Sequence, residues 1–139
     1  MRRLSVFVVA SVTVLYAAVL STRPVSADEL DRCYNYQDSH NAISACTWLI
    51  RRGEYHPMAD VYNARGVAYR WIRSYDQAIA DFNQAIYLNP RHSIAFGQRG
   101  IAYLNKGDVG QARADLQTAV ALDPNNQTAV NELSMLQRR

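Results

Sequence analysis

Residues 59–92 and 93–126 carry one pattern twice, at a spacing of 34 residues, and this repeat constrains the fold more than any other feature of the chain. Aligned without a gap, the copies share Arg65/Arg99, Gly66/Gly100, Ala68/Ala102, Tyr69/Tyr103, Gln77/Gln111 and Ala78/Ala112. Ala80/Ala114, Asp81/Asp115, Ala85/Ala119, Leu88/Leu122 and Pro90/Pro124 extend the identity. A fixed period in this range marks a supersecondary unit that buries its apolar face only by stacking on its neighbour. Arrays of this kind present extended surfaces to other molecules, which directs attention to binding before catalysis.

Within each copy the apolar and small residues fall at helical intervals. Tyr62, Gly66 and Tyr69 stand at i, i+4, i+7, as do Ala78, Phe82 and Ala85; the second copy repeats this with Phe96, Gly100, Tyr103 and Ala112, Leu116, Ala119. Each set forms one stripe on one helix. Large residues alternate with Gly or Ala, so the two helices of a hairpin can approach closely. Ser74-Tyr75-Asp76-Gln77 reads as a capping box, and Asp108-Val109-Gly110-Gln111 as its counterpart, with Gly107 ending the helix before it. Asn89-Pro90 and Asp123-Pro124 stop each copy, because the residue before proline is pushed out of the helical region.

These residues resemble the tetratricopeptide repeat (TPR) family, whose pattern wants an aromatic, Gly, Tyr, Ala, Phe, Ala and Pro at set positions. The first copy supplies Tyr62, Gly66, Tyr69, Ala78, Phe82, Ala85 and Pro90; the second differs only in offering Leu116 where Phe is usual. The resemblance implies an all-α fold, antiparallel helical hairpins stacked as a short right-handed solenoid of about seven helices. One departure stands out. A family position commonly Leu is Arg65 and Arg99, and the facing helix offers Asp81 and Asp115. An Arg–Asp pair across each hairpin is expected, Arg65–Asp81 and Arg99–Asp115.

The frame extends outward. Residues 127–139 restart a first helix, with Val130 and Leu133 at apolar positions and polar Asn131, Glu132, Gln137 and Arg138 elsewhere, as a terminal cap requires. Residues 28–57 form a degenerate hairpin without the motif. Its cysteines, Cys33 and Cys46, lie symmetrically about a predicted turn at Asp38-Ser39-His40, with Asp38 or Ser39 as N-cap. In an antiparallel hairpin that symmetry lets the two meet, so a Cys33–Cys46 disulfide is expected. The competing use, a metal site with His40 or His56, lacks C-x-x-C or H-x-x-x-H spacing.

The first residues have the form of a secretory signal. Arg2 and Arg3 give a positive start, residues 4–20 are an uncharged, largely apolar run, and Val25-Ser26-Ala27 places small residues for cleavage before Asp28. The run is shorter than the ~20 residues a spanning helix prefers, so a retained anchor is the secondary reading. Residues 1–27 are therefore expected to be removed, leaving a periplasmic or secreted protein that meets the membrane only during export. The sequence pI near 9.0 belongs to the precursor. Without Arg2, Arg3 and Arg23 the basic side chains fall to the number of acidic ones, 12, and no net charge remains to attract nucleic acid.

No nucleophile motif, phosphate loop or carboxylate pair is present, and His40, His56 and His92 sit at predicted turns or helix edges; neither an enzyme nor a cofactor or metal site is expected. The resemblance implies a concave groove lined by the first helix of each repeat. Its positions are Asp60, Asn63, Ala64, Val67, Arg70 and Trp71, then Ile94, Gly97, Gln98, Ile101, Leu104 and Asn105, with Thr128, Asn131 and Glu132 from the last helix. Some family members grip a peptide carboxylate with Lys, Asn and Arg. Here Asn63, Val67, Thr128 and Glu132 occupy the matching places, so that function does not transfer. Asn63, Val67, Arg70, Trp71, Gln98, Ile101, Asn105 and Asn131 are the candidate contacts for a protein or peptide partner, Trp71 and Arg70 as anchors. The competing reading packs Trp71 against the hairpin edge near Tyr75. A self-associating structural unit is the alternative function; a monomer is favoured, because Arg138-Arg139 and Asn125-Asn126 make the exposed end polar.

Overall fold

The computed structural model describes residues 25–53 and 57–138. The expected signal segment, apart from its last residues, and His56 lie outside the described residues. Among the described residues seven α-helices follow one another: α1 (Ala27–Tyr34), α2 (Ser39–Arg52), α3 (Met58–Trp71), α4 (Tyr75–Leu88), α5 (Ser93–Lys106), α6 (Val109–Leu122) and α7 (Gln127–Gln137). A single 3-10 turn, Tyr36–Asp38, joins α1 to α2, and no strand occurs among the described residues. Each helix packs on the next, while α3 also touches α5 and α5 touches α7. That pattern is a solenoid of hairpins, α1–α2, α3–α4 and α5–α6, closed by α7, as the repeat predicts.

Close approach within a hairpin depends on the repeated glycine. A Cβ placed on Gly66 would stand 2.6 Å from Phe82 Cε1, and one on Gly100 would stand 2.9 Å from Leu116 Cγ. Phe82 and Leu116 are fully buried against these bare backbones. The core runs along the stack in three clusters. Cys33, Cys46, Leu49 and Val61 form the first; Val67, Ala78, Phe82 and Ala102 the second; Leu116, Ala119, Ala129 and Leu136 the third. Tyr36 packs against both the first and the second, which ties the N-terminal hairpin to the repeats.

The two expected Arg–Asp pairs are formed. Arg65 donates from Nε and Nη2 to the two carboxylate oxygens of Asp81 at 2.8 and 2.7 Å, and Arg99 does the same to Asp115 at 2.7 Å each. The remaining guanidinium nitrogen reaches back to the preceding hairpin, to Thr47 Oγ1 at 3.1 Å from Arg65 and to Asn83 Oδ1 at 2.6 Å from Arg99. One side chain thus closes its own hairpin and fastens it to the previous one. These hydrogen bonds hold both guanidinium groups above their ordinary pKa against the opposing effect of burial.

The ends of the helices agree with the sequence in most places. Asp38, Asp108 and Asn126 each accept a hydrogen bond from the backbone N–H three residues on, capping α2, α6 and α7. Gly53 and Gly107 end α2 and α5 with φ of 65° and 86°, and α4 and α6 stop before their proline turns. The Ser74 capping box is not formed: Ser74 starts α4 but its side chain caps nothing. Arg73 takes the left-handed conformation (φ 62°) that Gly107 takes one period later, so a residue with a Cβ occupies a glycine position. Cys33 and Cys46 are bonded, with Cα atoms 4.8 Å apart, and both are fully buried.

Candidate functional site

Helices α3, α5 and α7 are the first helices of their repeats, and they supply all the groove candidates. On α3, Asn63 and Arg70 stand two turns apart and share a face, as do Gln98 and Asn105 on α5. The structure sorts these residues by what they leave available. Asn63 is 9% exposed, yet its Oδ1 has no hydrogen-bond partner, and the same holds for the buried Oε1 of Gln98. Arg70 is half-buried with its Nε unpartnered, and loss of solvent holds its guanidinium below the ordinary value, opposed by the nearby Tyr75 and Glu132. Buried polar atoms without partners are costly, so these three call for donors or acceptors from solvent or from a bound molecule.

Trp71 is 61% exposed, with the Arg70 guanidinium 5.5 Å from its ring centroid. Most of its surface is therefore open, with the guanidinium over the ring. Val67, by contrast, is 6% exposed and packs with Ala78, Phe82 and Ala102, so it forms the floor beneath the groove and offers almost no side-chain surface. Asn131 is exposed, and its Oδ1 already accepts from Gln127 one turn earlier.

Ile101 and Asn105 come together in a cavity of about 400 Å³ between α5 and α7. Leu104, Gly107, Val109, Glu132, Met135 and Leu136 complete its sides. Leu104 and Glu132 already stood among the groove positions of the sequence; Val109 and Met135 did not. The only signal for them was their apolar character at helix surfaces, where they are 44% and 48% exposed. At the N-terminal ends of α5 and α3, His92 Nε2 lies 3.0 Å from Asp60 Oδ1, out of line for a hydrogen bond. Among the described residues no three of His, Cys, Asp and Glu gather around a common point, and no helix is long and apolar enough to cross a membrane.

Known proteins place this architecture. No functionally curated protein matches the chain. Among solved structures, the second TPR domain of human RPAP3 in complex with the HSP70 peptide SGPTIEEVD is 33% identical, with a TM-score of 0.70, over 80% of this chain and 93% of that one. The TPR2B domain of yeast Sti1, in complex with pHsp70, is 28% identical with a TM-score of 0.69, over 81% and 96%. MamA, 21% identical over 88% and 73% with a TM-score of 0.69, shares the fold. A family model described as tetratricopeptide repeat matches residues 67–137, just over half of the chain. The chain belongs to the tetratricopeptide repeat family.

Proposed function

We propose that this protein is an exported, non-catalytic interaction module that holds a protein or peptide segment in the groove of α3, α5 and α7. The observation that carries this reading is the 400 Å³ cavity at Ile101 and Asn105, on a groove whose Asn63, Arg70 and Gln98 keep buried polar atoms unpartnered. A bound backbone offers N–H and C=O groups at regular intervals, which is what such a face lacks. Trp71 beside Arg70 supplies the exposed aromatic and guanidinium that dominate binding energies at interfaces. Two related TPR domains, from human RPAP3 and yeast Sti1, are in complex with HSP70 segments, which supports a peptide as the ligand type.

Affinity capture from the compartment into which the protein is exported tests the groove. Asn105→Arg, which fills the cavity, and Trp71→Ala should each weaken the partner captured by the wild type by roughly thirtyfold, the size of a hot-spot loss. Equal capture by all three proteins would refute the groove. Export is tested separately by the mass of the mature chain, which should begin at Asp28. The helix α1 begins at Ala27 with Ser26 as its N-cap, so cleavage there removes the cap and leaves Asp28 and Glu29 to face the helix N-terminus.

A further inference from the structure

The cavity between α5 and α7 has a mixed lining, with the aliphatic side chains of Ile101, Leu104, Val109, Met135 and Leu136 beside the polar Asn105 and Glu132, and of its lining residues only Glu132 is ionisable. Among the described residues no lysine, arginine or histidine forms an ion pair with Glu132. Arg70 on α3 senses Glu132 across the face of α5 without closing to ion-pair distance. The groove thus carries Arg70 beside Trp71 on α3 and Glu132 at the cavity on α7.

A carboxylate set among apolar side chains interacts more strongly with an incoming charge than one in open water, because the local dielectric is lower. It attracts a cation and repels an acid, and a mismatch of sign at such a place is what excludes wrong partners. We infer that the cavity receives an aliphatic side chain neighbouring a lysine or arginine on a partner protein, the aliphatic group between Ile101, Leu104 and Met135 and the cation on Glu132. This specificity rests on the groove reading above. It is opposite in sign to the HSP70 peptide SGPTIEEVD carried by the human RPAP3 domain, whose acidic residues cluster at its end.

The test uses the mature chain and two blocked fluorescent peptides with leucines at the same places, one carrying lysines and the other glutamates between them. The peptide SGPTIEEVD serves as a third probe. Anisotropy titrations should show the lysine peptide binding about tenfold or more tightly than either acidic one. Glu132→Gln should erase that preference, Glu132→Asp should keep it, and Glu132→Arg should reverse it. Circular dichroism melts verify that each variant is folded. Acidic peptides binding as well as the lysine peptide, binding of none of them, or an unchanged preference in Glu132→Gln would each overturn the inference. Asn105→Arg separates it from the groove reading. If this variant abolishes binding of an acidic peptide that the wild type prefers, the groove stands and its basic specificity falls. If the lysine peptide binds Asn105→Arg unchanged and leaves the Ile101 and Met135 methyl resonances in place, the groove itself is wrong.

Discussion

Gly66 and Gly100 are conserved between the copies for a reason that the distances make physical. An alanine at 66 would put its methyl 2.6 Å from the Phe82 ring, inside any tolerable contact, and the buried ring has no open space to retreat into. Overpacking of this kind costs about 1–3 kcal/mol, more than the ~1 kcal/mol that alanine gains over glycine in helix propensity. Gly110 offers the opposite case, because a Cβ there meets nothing nearer than Asp108 Oδ1 at 3.7 Å. Gly66→Ala should therefore lower the urea midpoint while Gly110→Ala raises it slightly, by up to ~1 kcal/mol. Equal shifts of the same sign would mean that backbone entropy, and not contact with Phe82, governs the first site. Other residues were harder to foresee. Arg73 in a left-handed turn looks from the sequence like any surface arginine, and only its alignment with Gly107 hints at the conformation. Val67 occupies a groove position in the family frame, yet the space beneath α3 is filled by the next repeat's Ala102 and draws it into the core.

At the scale of helices and hairpins, the sequence was readable wherever a single period specified the contact. Helix ends at Leu88 and Leu122, the caps at Asp38 and Asp108, and the Arg–Asp pairs all follow from residues within one repeat. What the repeat pattern did not disclose are the contacts between repeats, such as the third guanidinium bond of Arg65 to Thr47 and of Arg99 to Asn83, or the facing of Arg70 and Glu132 over α5. Those depend on how one hairpin is rotated on the next, which no local period encodes. The Arg65–Asp81 pair gives a measurable consequence. Its side chains are only 17% and 8% exposed and the geometry is bidentate, so screening by solvent is weak. A double-mutant cycle with Arg65→Met and Asp81→Ala should return a coupling of about 2 kcal/mol, and each single variant should be costly because it strands the other charge. Coupling below a few tenths of a kcal/mol would show that the pair contributes geometry without stability.

For the whole molecule, the succession of three core clusters along the stack implies that stability is assembled from neighbouring units and is not uniform. α7 is the last helix among the described residues, and its Leu136 and Ala129 pack against Leu116 and Ala119. Asn131 and Gln137 of α7 and Arg138 after it are exposed, and Met135 is exposed beside the cavity. On the N-terminal side, the eight-residue α1 is held to α2 through the buried Cys33–Cys46 bond. Truncating Leu136 therefore acts at one end of a nearly one-dimensional object. Leu136→Ala should cost about 2–3 kcal/mol at the third cluster, and hydrogen exchange should quicken in α6 and α7 while α1 and α2 keep their protection. Tyr36, which touches the first and second clusters but not the third, marks where that loss should fade. Uniform acceleration from α1 to α7 would instead mean that the hairpins open as one cooperative block, and the groove could then not loosen at its α5–α7 end without unfolding the rest.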